Sequence, residues 1–175
     1  MRSLAIHTKA VAKKTEMKHR AIMDIHREAV AQVGVMSKRD LFMFGLGLYV
    51  GEGSKTADIT RITNSDPNAL RLAIAWFYNL GIHREQFFLT LHLYPDSDVE
   101  KCLLFWSQTT TIPKSQFGTV QIDRRTNKKR SRNGKLPYGT AHLTVRALGR
   151  KEFGVSLARR IKGWSDGVAG SIVLK

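Results

Sequence analysis

The stretch Phe44-Gly45-Leu46-Gly47-Leu48-Tyr49-Val50-Gly51-Glu52-Gly53 restricts this chain more than any other. It is an apolar run of helix length, it carries glycine at positions 45, 47 and 51, and it ends in a carboxylate. Each glycine inside a helix costs about 1 kcal/mol relative to alanine. Gly47 and Gly51 share one helix face, where the missing side chains let another backbone approach closely. Glu52 falls at the helix C-terminus, where the macrodipole disfavours negative charge. Both features run against local preference, as happens where function or tight packing compensates. The purely structural alternative is a glycine-loosened core helix stopped by Gly53 in a left-handed cap.

The length of 175 residues suits one domain with a real core plus an additional arm. A hydrophobic content of 42% separates the chain from disordered sequences. Charge is the strongest global signal: 29 Lys+Arg against 14 Asp+Glu leaves +15. Such an excess calls for a polyanionic partner, with nucleic acid first and a ribosomal or anionic-membrane surface second. No segment reads as a signal peptide and no apolar run is long enough to span a bilayer, so a cytoplasmic protein without membrane contacts is expected. Cys102 is the single cysteine, which excludes an internal disulfide and a zinc-finger cluster and fits a reducing compartment.

Residues 1–36 form a basic arm. Apolar positions at Met17, Ala21, Ile25 and Ala29, and at Ile22 and Val33, alternate with lysine, arginine and histidine, predicting an amphipathic helix interrupted once near its start and ended by Gly34. Its apolar face suits packing on the body or a partner subunit; its basic face suits phosphates. Ser37 to Asp40 resembles a capping box and starts the glycine-bearing helix near residue 38. Residues 57–63 predict a short strand, Asp66-Pro67 an N-cap and first helical residue, and Leu70, Ile74, Phe77 and Tyr78 a helix stripe ended by Gly81. Phe87, Leu89, Leu91 and Leu93 alternate with Phe88, Thr90, His92 and Tyr94, the period of a half-buried strand. A capping box from Ser97 to Glu100 opens a helix burying Val99, Cys102, Leu103 and Trp106, which makes Cys102 a core residue. Residues 118–123 and 139–146 predict a final strand pair, followed by a basic helix over 148–162 with Phe153, Leu157 and Ile161 on one face. The expected organisation is an arm at 1–36, an α+β domain with a mixed or mostly antiparallel sheet at 37–163, and a short tail at 164–175.

Between the last two strands, residues 124–135 contain no acidic residue and include Arg124, Arg125, Lys128, Lys129, Arg130 and Arg132. A basic run is often only a solvated loop. Here it is expected at a hairpin tip that could lie along a groove. The strand faces pointing away from the core add Arg61, Thr90, His92, Tyr94, Gln121, His142, Thr144 and Arg146, donors suited to phosphates and base edges. The histidines show no paired metal-ligand spacing, so a zinc site is not expected.

Position by position, Gly45 to Gly53 resembles the motif of the LAGLIDADG homing endonucleases, with Gly51 in place of alanine and Glu52 in place of the second aspartate. Ser54-Lys55, Asn64-Ser65-Asp66-Pro67 and Lys135-Leu136-Pro137-Tyr138-Gly139 resemble a compact prokaryotic and phage branch of that family, over about residues 38–163. The resemblance implies a sheet saddle with helices on one face and a homodimer in which two motif helices pack through Phe44, Gly47, Leu48 and Gly51. It implies Mg²⁺ or Mn²⁺ held by Glu52 of each subunit beside Gly51, because one carboxylate cannot complete an octahedral site. Lys135, and after it Lys55, match the family's auxiliary lysine by position. The long two-stranded DNA-reading hairpin usual after the motif helix is missing, which leaves recognition to other elements.

The first functional expectation is therefore a metal-dependent endonuclease acting on double-stranded DNA. A DNA-binding regulator that keeps the fold without cleavage is the alternative, and an RNA-binding or maturase-type protein is a third.

Overall fold

The computed structural model describes residues 2–56, 58–124 and 136–172. The chain divides into two compact units, Met1–Ser37 and Lys38–Lys175. The first is one helix, α1 (Arg2–Val33), without the expected interruption. The reason is local: no proline or glycine occurs within it. Ion pairs Arg20–Glu16 and Arg27–Asp24 support its surface at helical spacing, and Gly34 ends it with φ +63°.

The second unit is α+β. Its described elements are α2 (Lys38–Glu52), β1 (Arg61–Asn64), α3 (Pro67–Asn79), β2 (Phe87–Leu93), α4 (Val99–Thr110), β3 (Gln121–Ile122), β4 (Thr140–Val145) and α5 (Val155–Ser171). The strands form one mixed sheet in the order β1-β4-β2-β3. β4 pairs antiparallel with both β1 and β2, whereas β3 pairs parallel with β2. This overturns the expected hairpin between the last two strands: β2 lies between them, so residues 124–135 connect strands that are not neighbours.

The predicted alternation sets the layers. Phe87, Leu89, Leu91 and Leu93 of β2, Ala141, Leu143 and Val145 of β4, and Ile62 of β1 are buried, and the residues between them are half-exposed. Helices cover the apolar face with Leu46, Leu70, Trp76, Phe77, Trp106, Leu157 and Ile161. Each such side chain contributes about 1.5–3 kcal/mol when fully buried. Trp106 donates its indole N–H to the Tyr138 carbonyl at 2.8 Å.

Several termini follow the expected chemistry. Asp66 caps α3, accepting from the Asn68 N–H, with Pro67 next. The α4 cap is Asp98, which accepts from the Lys101 N–H at 3.1 Å, rather than Ser97, whose hydroxyl takes the Tyr94 N–H at 3.2 Å. Gly53 adopts no left-handed cap. Its N–H donates to the Tyr49 carbonyl at 2.8 Å, it bridges to Ile62, and a Cβ there would strike the Tyr49 carbonyl and ring. The last helix begins at Val155 and runs through Ser171, with Trp164 and Val168 packed on the core, so most of the expected tail is helical.

Candidate nucleic-acid interface

The half-exposed face of the sheet is organised in rows by strand register. One row runs Arg61–Thr144–Phe88 across β1, β4 and β2, and the next runs Thr63–His142–Thr90. His92 lies beyond, opposite Thr140 of β4 and Gln121 of β3. Four predicted interface residues, Arg61, His92, His142 and Arg146, are thereby gathered on or beside one face, supplied by separate stretches of chain.

Their side chains are held rather than loose. The Arg61 Nε donates to the Thr144 hydroxyl at 3.0 Å. His142 Nδ1 and the Thr63 hydroxyl share a hydrogen bond of 3.1 Å. The His92 and His142 rings lie 4.0 Å apart between centroids. Burial, then the charge of His92, then that of Arg61, lower the His142 pKa to about 4, so this imidazole is neutral at pH 7. Beside the pair a polar cavity of about 380 Å³ is lined by Tyr94, Gln121 and Thr140 among others.

Arg146 is fixed at both ends. Its N–H donates to the Gln86 carbonyl at 2.7 Å, its carbonyl accepts from Gln86 Nε2 at 3.1 Å, and its guanidinium lies over the Phe88 ring, 3.2 Å from the centroid. Phe88 and the buried Gln86 were not candidates from sequence. An aromatic residue on the otherwise polar side of an alternating strand was the available signal for Phe88; nothing in local spacing marks Gln86. Arg124 is exposed just after β3. Arg125, Lys128, Lys129, Arg130, Arg132 and Lys135 lie outside the described residues.

At the edge of this sheet, Glu52 ends α2, and the Ser54 N–H donates to the Arg61 carbonyl at 2.8 Å. The Glu52 carboxylate is exposed and has no ion-pair partner among the described residues. The Lys55 ammonium donates to the Val50 carbonyl, capping the helix end and not contacting Glu52. Along α2, Phe44, Gly47 and Gly51 are exposed and Leu48 is half-buried, and a Cβ at Gly47 or Gly51 would meet nothing. Gly45 differs: its face is filled by Trp76 of α3.

A hard oxygen donor such as Glu52 suits Mg²⁺ or Mn²⁺. Among the described residues of one chain, no three His, Cys, Asp or Glu side chains converge, so the fit requires donors from outside the chain. Among those residues no helix is long and apolar enough to cross a membrane. In comparisons with known proteins, no family model, curated protein or solved structure matches the chain.

Proposed function

We propose that this protein is a homodimeric, divalent-metal-dependent endonuclease of LAGLIDADG-like type that binds double-stranded DNA on the open face of its sheet. The observation that carries the DNA-binding part is the ordered cationic row. Arg61, on β1, and Arg146, directly after the neighbouring β4, are tied down by Thr144 and by Gln86 and Phe88 respectively. Anchored guanidiniums lose little freedom on meeting phosphates or base edges. The net charge of +15 supplies the long-range attraction.

The cleavage part rests on Glu52 and on the resemblance of its helix. The open α2 face at Phe44, Gly47, Leu48 and Gly51 suits a second α2 packed against it. That packing would bring two Glu52 carboxylates together. They would hold a Mg²⁺ or Mn²⁺ ion, which when bound activates water and neutralises charge developing on the phosphate. Arg61, at the edge strand that follows Glu52, is suited to holding the DNA backbone beside it.

Incubation of supercoiled plasmid with Mg²⁺ or Mn²⁺ tests the reading. Nicking by the wild type and its loss in Glu52→Gln, with DNA binding unchanged, is the expected outcome. Metal-dependent nicking that survives the substitution would remove Glu52 from the chemistry. One observation favours a second reading, a DNA-binding regulator without cleavage: the Lys55 ammonium donates to the Val50 carbonyl instead of facing Glu52. Tight duplex binding with no nicking under any divalent ion would favour it.

A further inference from the structure

Phe88 breaks the pattern of its strand. It stands on the polar side of β2, where Thr90 and His92 follow, yet its ring is not left bare. The Arg146 guanidinium covers it. Gly118, whose N–H donates to the Leu89 carbonyl at 2.7 Å, abuts its edge: a Cβ on Gly118 would lie 2.7 Å from Phe88 Cζ. The ring therefore occupies space that any other residue at 118 would take. Gln86, two residues before Phe88, clamps the Arg146 backbone from both sides. Backbone clamp, ring platform and glycine brace converge on one guanidinium that remains exposed.

We propose that Phe88, braced by Gly118, is a positioning residue that presents Arg146 as a preorganised donor to a planar pair of acceptors on nucleic acid. The inference rests on the reading of the open sheet face as a nucleic-acid interface. An unrestrained arginine must give up rotamer freedom on binding, whereas one already stacked on a ring has given it up beforehand. The shared chemistry of the acceptor is two oxygen or nitrogen atoms side by side, as on a phosphate or on the major-groove edge of guanine.

The test is a double-mutant cycle on the full chain, read as anisotropy of a fluorescein-labelled mixed-sequence DNA duplex. Arg146→Ala weakens binding. Phe88→Leu, which removes no charge, weakens it by about 3- to 10-fold, the scale of a cation–π platform. The double variant binds no worse than Arg146→Ala, and Phe88→Tyr, which keeps the ring, binds as the wild type does. Gly118→Ala, which displaces the ring instead of deleting it, gives the same coupled loss and replaces Phe88→Leu if that variant does not fold. Losses that multiply in the double variant, or wild-type binding by Phe88→Leu where Arg146→Ala is weakened, would overturn the positioning role. An Arg146→Ala variant that binds like the wild type would instead overturn the interface itself. The salt dependence separates the acceptors: Arg146→Ala lowers the slope by about one for a phosphate, and leaves the slope but loses guanine preference for a base edge.

Discussion

Trp76 of α3 takes the space that a side chain at Gly45 of α2 would need: a Cβ on the glycine would lie 2.0 Å from Trp76 Cγ. The fully buried Trp76 also packs against Tyr49 and Phe77, with centroids 5.9 Å and 5.0 Å away. The glycines of this helix thus serve different ends. Gly45 admits a tryptophan from the same chain, while Gly47 and Gly51 face open space.

Gly45→Ala is therefore expected to destabilise the fold by about 1–3 kcal/mol through overpacking, despite alanine's better helix propensity. Thermal denaturation checks this. A melting temperature at or above that of the wild type would show that Trp76 yields freely.

A Cβ at Gly47 meets nothing in the monomer, and Gly47→Leu fills the face assigned to a second α2. A monomer is expected by sedimentation velocity, against a dimer for the wild type. An intact dimer would reject that packing.

His142 contributes a pH dependence with a defined sign. Its pKa is lowered from 6.5 to about 4 in the folded protein, so below pH 6.5 the unfolded chain binds a proton that the folded one refuses. Stability present above that pH is lost as pH falls toward 4, by about 1–2 kcal/mol after discounting for the half-exposed ring. Melting temperature followed from pH 7 to pH 4 should fall less steeply in His142→Gln; parallel curves would contradict the assignment.

The loop charges make a separate prediction. Neutralising Arg124, Arg125, Lys128 and Lys129 should flatten the dependence of log affinity on log salt by about 0.9 for each phosphate these side chains neutralise. An unchanged slope would mark the loop as a solvated connection only.

Legibility in the sequence followed the range of the interaction. The alternation from Phe87 to Tyr94 specified both faces of β2, because a period of two leaves no freedom about which side is buried. The Asp66-Pro67 start of α3 was equally local. The supposed hairpin failed because strand adjacency depends on distant partners: β3 found β2, not β4. The helical part of the presumed tail was obscured by Gly163, Gly167 and Gly170, although Leu157, Ile161, Trp164 and Val168 continue one helical stripe. On the proposed interface, Arg61, His92, His142 and Arg146 were visible as donors on strand faces. The supports of Arg146 were not, since Gln86 and Gly118 reach it only through tertiary packing.

The most direct test of the central claim, that nucleic acid binds on the open face of the sheet, compares two charge removals of equal size. Arg61→Ala with Arg146→Ala strips the sheet face, and Arg159→Ala with Arg160→Ala strips α5 in the helical layer. Duplex affinity measured by anisotropy at one salt concentration should fall at least about tenfold for the first pair and stay near wild type for the second. Equal losses from both pairs, or a loss from the α5 pair alone, would contradict it.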